Sequence, residues 1–428
     1  MISSSKGNSP SRKKLKIDTF EENQFKFTNG FHLNYIEGIE NENQKGYLTL
    51  ESIITKIKPI KSLFFACNVD DRFIRNCFSG YKDGLKNVSI ITGYIGGLPP
   101  TNEQQGFYDN LFNHYTVPLD RLSYHNCKFC IFFDKNDKPY IVIITGDLLD
   151  DAWKNFTQCL YYAESTLNDN LKYKAEYDNF KLDLIHFLRV GYEDEVFYKE
   201  LIGPILKILS KWSFEHIKDR LIYSVPGIKE NIDCFSYFKV RYLLKENISF
   251  FRIKTIIVQC RNIGKITSNK SISWLQNEFL RNFSNNYLHD TCEIKIVYPS
   301  VKNIENSQTG LKGGRLFQYK STIHEHQRWI KKFFYTWKAN KICRTPFLSL
   351  IGSVTTFDRY MKPVYQIIGS QNLSRISWGE PYGSKFECRN YELGVITFDK
   401  DSMVFPYDLP LTKYKKNDTI WQMDVPHE

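Results

Sequence analysis

From about residue 25 onward, short continuous apolar runs alternate with stretches whose apolar residues recur at helical spacing. Ser62–Cys67, Val88–Gly93, Phe129–Phe133 and Ile141–Thr145 are too short for buried helices and read as strands, the last two joined by the polar turn Asp134–Asp137. Asp71–Cys77 and Asp183–Val190 have helical spacing. A second block starts near residue 205, with strands predicted at Arg220–Val225, Lys254–Gln259, Glu293–Tyr298 and Tyr365–Gly369. There Ile323–Lys338 is predicted as a helix, with Trp329, Phe333 and Trp337 as a core-facing stripe. Strands interleaved with helices predict an α/β layered fold. The two blocks, 25–205 and 206–428, read as similar α/β halves in tandem, although no close sequence repeat links them.

Residues 1–24 break the pattern. They are rich in Ser and Lys without periodicity, which predicts a disordered tail. Within it Ser11–Lys16 (S-R-K-K-L-K) has the character of a nuclear localisation signal, so a nuclear location is expected. The net charge of +11 favours a polyanionic partner, nucleic acid before membrane. No run of 18 apolar residues and no hydrophobic segment after Met1 is present, so neither a membrane span nor secretion is expected. The ten cysteines are irregularly spaced and read as buried small apolar residues. Cys127-x-x-Cys130 has zinc-ligand spacing, but a single pair on a buried strand is core rather than metal site. His324-x-His326 lacks a third ligand nearby. Neither a P-loop nor a G-x-G-x-x-G is present, which disfavours nucleotide hydrolysis and dinucleotide redox chemistry. No metal or cofactor is expected.

Several ordered segments carry a family resemblance. Phe31–Ile39, Ser62–Phe78, Tyr124–Phe133, Ile143–Trp153, Asp183–Leu188, Tyr298–Val301, Gly313-Gly314, Ile368–Gly379 and Cys388–Val395 resemble, in this order, the catalytic region of tyrosyl-DNA phosphodiesterases in the phospholipase D superfamily. The resemblance implies two phospholipase D-like α/β lobes related by a pseudo-two-fold, with the active-site and DNA-binding cleft at their junction. Each lobe of such an enzyme gives a His, a Lys and an Asn. One His attacks phosphorus, the other protonates the leaving group and then activates water, and the Lys and Asn side chains hold the phosphoryl oxygens. The implied partner is DNA, single-stranded or at its 3′ ends.

This sequence departs from that pattern at the residues that matter most. Anchored on Lys128, the first-lobe nucleophile position falls on Asn126, within His125-Asn126-Cys127-Lys128. An extra residue before Lys128 would make His125 the nucleophile instead. Strand alternation, however, puts Asn126 and Lys128 on one face and His125 and Cys127 on the other, so that reading needs a bulge. The resemblance puts the first-lobe Asn at Asp147 and a family active-site Gln at Gln158; the second-lobe Asn and Glu fall on Asn372 and Glu392. Upstream, the second His and Lys become Phe347 and Ser349, or Leu348 and Leu350, and no His occurs between 327 and 426. Loss of residues that act as a unit costs on the order of 10⁶ in rate. The expected protein is therefore catalytically impaired or inactive, with two alternatives: a phosphodiesterase using a shifted His125, or a scaffold for a protein partner. Arg261, Asn262 and Lys265 align with the family's DNA-gripping stretch and are the candidate DNA-binding residues. Lys128 and Asp147 are expected to pair at hydrogen-bonding distance, and Phe347 or Leu348 to fill the place of the second His.

Overall fold

The computed structural model describes residues 27–44, 46–95, 111–121, 123–168, 175–230, 232–249, 252–266, 274–285 and 292–426. The tail 1–24 and its basic run lie outside the described residues.

The first sheet is built from β1 (Gly30–Leu33), β2 (Lys61–Phe65), β3 (Val88–Ile95), β4 (Asn113–Leu119), β6 (Phe129–Phe133), β7 (Pro139–Ile144) and β8 (Cys159–Glu164). Its strands run in the order β1-β8-β7-β6-β2-β3-β4. A two-residue strand, β5 (Tyr124–His125), leaves this lobe to pair elsewhere. The second sheet contains β9 (Arg220–Ser224), β10 (Thr255–Gln259), β11 (Glu293–Val297), β12 (Phe334–Tyr335), β13 (Gly352–Phe357), β14 (Pro363–Gly369) and β15 (Asn390–Thr397). Its order is β9-β15-β14-β13-β10-β11-β12.

The two orders are the same order. With β5 set aside, each lobe runs first, seventh, sixth, fifth, second, third and fourth strand. The senses match too: antiparallel from the first strand to the second, parallel from the second to the fourth. The chain thus contains two copies of one topology, as the α/β halves predict. Strands β6 and β7 are buried at every position. Strands covered on both faces select continuous apolar runs, which is why they are legible without alternation.

One helix, α1 (Asn179–Gly191), lies between the sheets. Its Phe187 ring sits 5.7 Å from Phe129 of the first and 5.3 Å from Tyr223 of the second. Buried Asp183 on the same helix accepts from Arg220 Nε at 2.8 Å, Arg220 Nη2 at 3.0 Å and Lys239 Nζ at 2.5 Å. These charge-assisted bonds tie the second lobe to the interlayer helix.

One predicted element is wrong. The chain over Ile323–Lys338 is not a single helix: an α-turn at Ser321–His326 gives way to a 3-10 segment, Arg328–Phe333, and then to β12. Trp337 is buried as expected, but Trp329 is 36% exposed and Phe333 only partly covered. The break is at Gln327, whose φ of −139° is not helical and whose buried amide bonds Ile266 N, Gly264 O and the Tyr319 hydroxyl. Satisfying those neighbouring groups outweighs the continuation of a helical stripe.

Candidate active site at the lobe junction

Each lobe sends the segment ahead of its central strand across the junction to the other lobe. In the first, β5 pairs in parallel with the start of β15, and the Asn126 N–H donates to the Tyr391 carbonyl at 3.0 Å. In the second, the Leu350 N–H donates to the Thr157 carbonyl at 2.9 Å, and the Thr157 N–H to the Leu348 carbonyl at 2.9 Å. The two crossings are reciprocal, and they fix which residues correspond.

Ile144 pairs with Leu160, and Gly369 with Gly394. Aligning those pairs makes Asp147 the counterpart of Asn372, and Gln158 the counterpart of Glu392. The same register makes Asn126 the counterpart of Leu350, and Lys128 that of Gly352. Phe65 pairs with Phe129, and Gln259 with Ser353, which agrees and adds Asn68 opposite Asn262 and Cys67 opposite Arg261. The second-lobe positions expected at Phe347 and Ser349, or Leu348 and Leu350, are thus corrected to Leu350 and Gly352. Leu348 is instead buried in the second lobe, where it lines a small cavity with Cys260, Tyr298 and Trp337. At Gly352 a Cβ would lie 2.3 Å from the Gln371 carbonyl oxygen and 2.8 Å from that of Gly369, so the place of the second Lys is filled by backbone.

On the first-lobe side, Asn126 and Lys128 share a face. The Lys128 ammonium is fully buried and donates at 2.8 Å to both the main-chain O and Oδ1 of Asn126. Asn126 Nδ2 in turn donates to Glu392 Oε2 at 2.9 Å and to the Ser370 carbonyl at 3.0 Å. Asp147 Oδ1 is 3.6 Å from Lys128 Nζ, an ion pair but not the expected hydrogen bond. Two of the ammonium's three N–H groups go to Asn126, and the Asp147 carboxylate lies just beyond hydrogen-bonding reach. Asp147 Oδ2 instead accepts from Arg261 Nη1 at 3.2 Å and from Asn68 Nδ2 at 3.3 Å. Burial pushes the Asp147 carboxyl up, but Lys128, Arg261 and Asn68 outweigh it and hold the group below the usual carboxylate range.

Glu392 is fully buried and accepts from Asn126 and Ser370 on one oxygen, and from Ser377 at 2.7 Å and Asn390 at 2.9 Å on the other. Burial raises its pKa against those donors. Its counterpart Gln158 is equally buried, yet its Oε1 has no partner while Nε2 is spent on the Ala152 carbonyl at 2.6 Å. Glu392 is met by Asn126 from the opposite lobe. A donor for Gln158 would have to come from the counterpart of Asn126, which is Leu350 and has none.

His125 faces away from this cluster. Its ring is buried between the Ala66 carbonyl at 3.3 Å and the Tyr192 hydroxyl at 2.9 Å, with Cys127 Sγ at 3.5 Å. Burial lowers its pKa to about 4. Among the candidate DNA-binding residues, Arg261 turns inward to Asp147, with Nη2 also 3.5 Å from Asn126 Oδ1. Asn262 donates its N–H to Asn372 Oδ1 at 3.1 Å, and its Nδ2 to Gln318. Lys265 is exposed. Asn68, Ser370 and Ser377 were not singled out as site residues by sequence, although all three lie inside recognised segments, Ser62–Phe78 and Ile368–Gly379.

A tyrosyl-DNA phosphodiesterase family model matches residues 30–424. The chain belongs to the tyrosyl-DNA phosphodiesterase family. It is 25% identical over 406 residues to a probable tyrosyl-DNA phosphodiesterase of Caenorhabditis elegans, covering 89% of this chain and 85% of that protein. It is 28% identical over 331 residues to tyrosyl-DNA phosphodiesterase 1 of Arabidopsis thaliana, covering 73% of this chain and 53% of that protein. The crystal structure of the yeast tyrosyl-DNA phosphodiesterase superposes with a TM-score of 0.73 at 16% identity, covering 92% of this chain and 100% of that one. The phospholipase D-like fold expected from the sequence is therefore the fold of this family member. The cluster around Lys128 and Glu392 presents cations, carboxylates and amides, but no imidazole among the described residues.

Proposed function

We propose that this family member engages DNA 3′ ends in DNA repair, in the nucleus, without carrying out the two-histidine reaction. The observation that supports the reading is the register across the junction, which makes Leu350 the counterpart of Asn126, the residue that the resemblance puts at the nucleophile position. Asn126 is held by Glu392, and an amide neither attacks phosphorus nor shuttles a proton at neutral pH. Leu350 offers nothing to a leaving group. A shifted His125 is opposed by its ring, whose two nitrogens are taken up by the Ala66 carbonyl and the Tyr192 hydroxyl.

DNA as the partner is supported by the family and by the net charge of +11. The nuclear location rests on Ser11–Lys16. The test is a binding and cleavage experiment on one substrate, an oligonucleotide bearing a 3′-phosphotyrosine. The expected result is a salt-sensitive complex in which the ester stays intact. Absence of any complex would favour the protein-scaffold alternative, and turnover would favour an enzyme.

A further inference from the structure

Outside the junction, the chain carries a second concentration of positive charge that the catalytic geometry does not use. Residues 306–341 contain eight Lys and Arg against a single acid, Glu325. The break at Gln327 decides where the central part of this charge goes. Tyr319, Ile330 and Phe334 are buried and anchor the segment, while Lys320, His326, Arg328, Lys331 and Lys332 are exposed around Trp329. Arg328, Lys331 and Lys332 stand at i, i+3 and i+4, and none of these cations forms an ion pair among the described residues. Asp424, beside Ser321, accepts from the N–H and hydroxyl of that residue.

The surface adjoins the junction. Gln327 accepts from the Ile266 N–H at 3.1 Å and donates to the Gly264 carbonyl at 3.1 Å, so the basic segment is stitched to the loop that carries Lys265. The positive field is felt within the surface itself: after burial, Arg328 and Lys331 are the main causes that lower the pKa of His324. The Trp329 indole is held edge-on to Phe333 at 6.1 Å, and the Lys332 ammonium lies 5.0 Å from the same ring. Unpaired cations crowded on one face repel one another, and an anion with repeated charges relieves that cost while releasing counterions. Cations interleaved with a fixed, half-exposed aromatic suit a sugar–phosphate chain.

We propose that this surface is a second nucleic-acid contact, holding the phosphate backbone of duplex DNA that leads away from the junction. The proposal rests on the DNA reading above and extends it from the end of the strand to the flanking duplex. Its aromatic would pack against the backbone or an exposed base, and its three helical cations would neutralise successive phosphates.

The experiment compares wild type, the triple variant Arg328→Gln/Lys331→Gln/Lys332→Gln, and Trp329→Ala, each first matched to wild type in thermal melting. Binding is measured against salt concentration for a duplex with a free 3′ end, and for a short single strand that the junction alone could hold. The expected result is that the triple variant binds the duplex more weakly and lowers the slope of log affinity against log salt by about 0.9 for each lost contact. Its binding of the short strand should be unchanged. Trp329→Ala should weaken duplex binding with the slope retained. If wild type binds the duplex and the triple variant matches it in affinity and slope, this inference is overturned and the DNA reading stands. If wild type binds neither ligand, both fall. An acidic peptide of equal charge that binds through the same residues as tightly as the duplex would overturn the assignment of nucleic acid as the partner.

Discussion

Asn126 Nδ2 donates to Glu392 Oε2 at 2.9 Å, joining the two lobes of the protein at the centre of their junction. A buried carboxylate of one lobe thus holds a side-chain amide of the other. On the symmetry-related side the same relationship has dissolved, because Leu350 offers nothing to the orphaned Gln158 Oε1. The two lobes thus share one architecture at the junction but not one set of polar pairings. From that asymmetry the following outcomes are expected.

Asp147→Ala should destabilise the protein by about 3–5 kcal/mol at neutral pH, because it leaves buried Lys128 and largely buried Arg261 without their carboxylate. The pH dependence has a definite sign. The folded carboxyl titrates below its unfolded value of about 3.9, so its contribution is complete above that pH and is lost as pH falls through the folded value. Urea unfolding of wild type and variant as a function of pH should show the difference shrinking in acid. A difference that persists unchanged to the lowest pH would mean that the ion pairs do not supply it.

Gly352→Ala should destabilise the second lobe by about 1–3 kcal/mol, since its Cβ would meet two backbone carbonyls that cannot move independently. Ser349→Ala, by contrast, should cost less, as its hydroxyl only accepts from the Ile351 N–H at 3.2 Å. Thermal melts of the pair check the register directly. A neutral Gly352→Ala would indicate that the counterpart of Lys128 has been misplaced.

Much of this architecture was legible from sequence, for a physical reason. Strands buried on both faces select unbroken apolar runs, which places Phe129–Phe133 to the residue, and helical spacing does the same for Asp71–Cys77. Asn126, Asp147, Asn372 and Glu392 were found because the resemblance covers short segments that fold locally. What sequence missed depends on pairs far apart in the chain. Leu350 and Gly352 are identified by hydrogen bonds to Thr157 and by strand register, not by any motif. The inward turn of Arg261 depends on Asp147, 114 residues earlier. The Trp329 stripe failed because a buried Gln327 amide breaks the helix that periodicity favours.

Asn126→His tests whether the remaining half-site still works. A histidine there would inherit Glu392 as its orienting acceptor and lie beside Lys128, so the nucleophile would be restored without the general acid. Combined with Asp147→Asn, which copies Asn372 and releases Arg261, it should form a covalent phosphohistidine with a substrate whose leaving group needs no proton, such as a 3′-nitrophenyl phosphodiester. The adduct should then persist, because Leu350 cannot activate water. Intact-mass spectrometry reads the result, and rapid turnover without an adduct would contradict it.

Single-turnover reaction of purified wild-type protein with 3′-phosphotyrosyl DNA, followed for both released tyrosine and covalent adduct, tests the central claim most directly. With Asn126 and Leu350 in the two reacting positions, neither product should exceed the no-protein control. Cleavage by wild type that is abolished in His125→Ala, with the variant still folded, would contradict the account and return His125 to the active site.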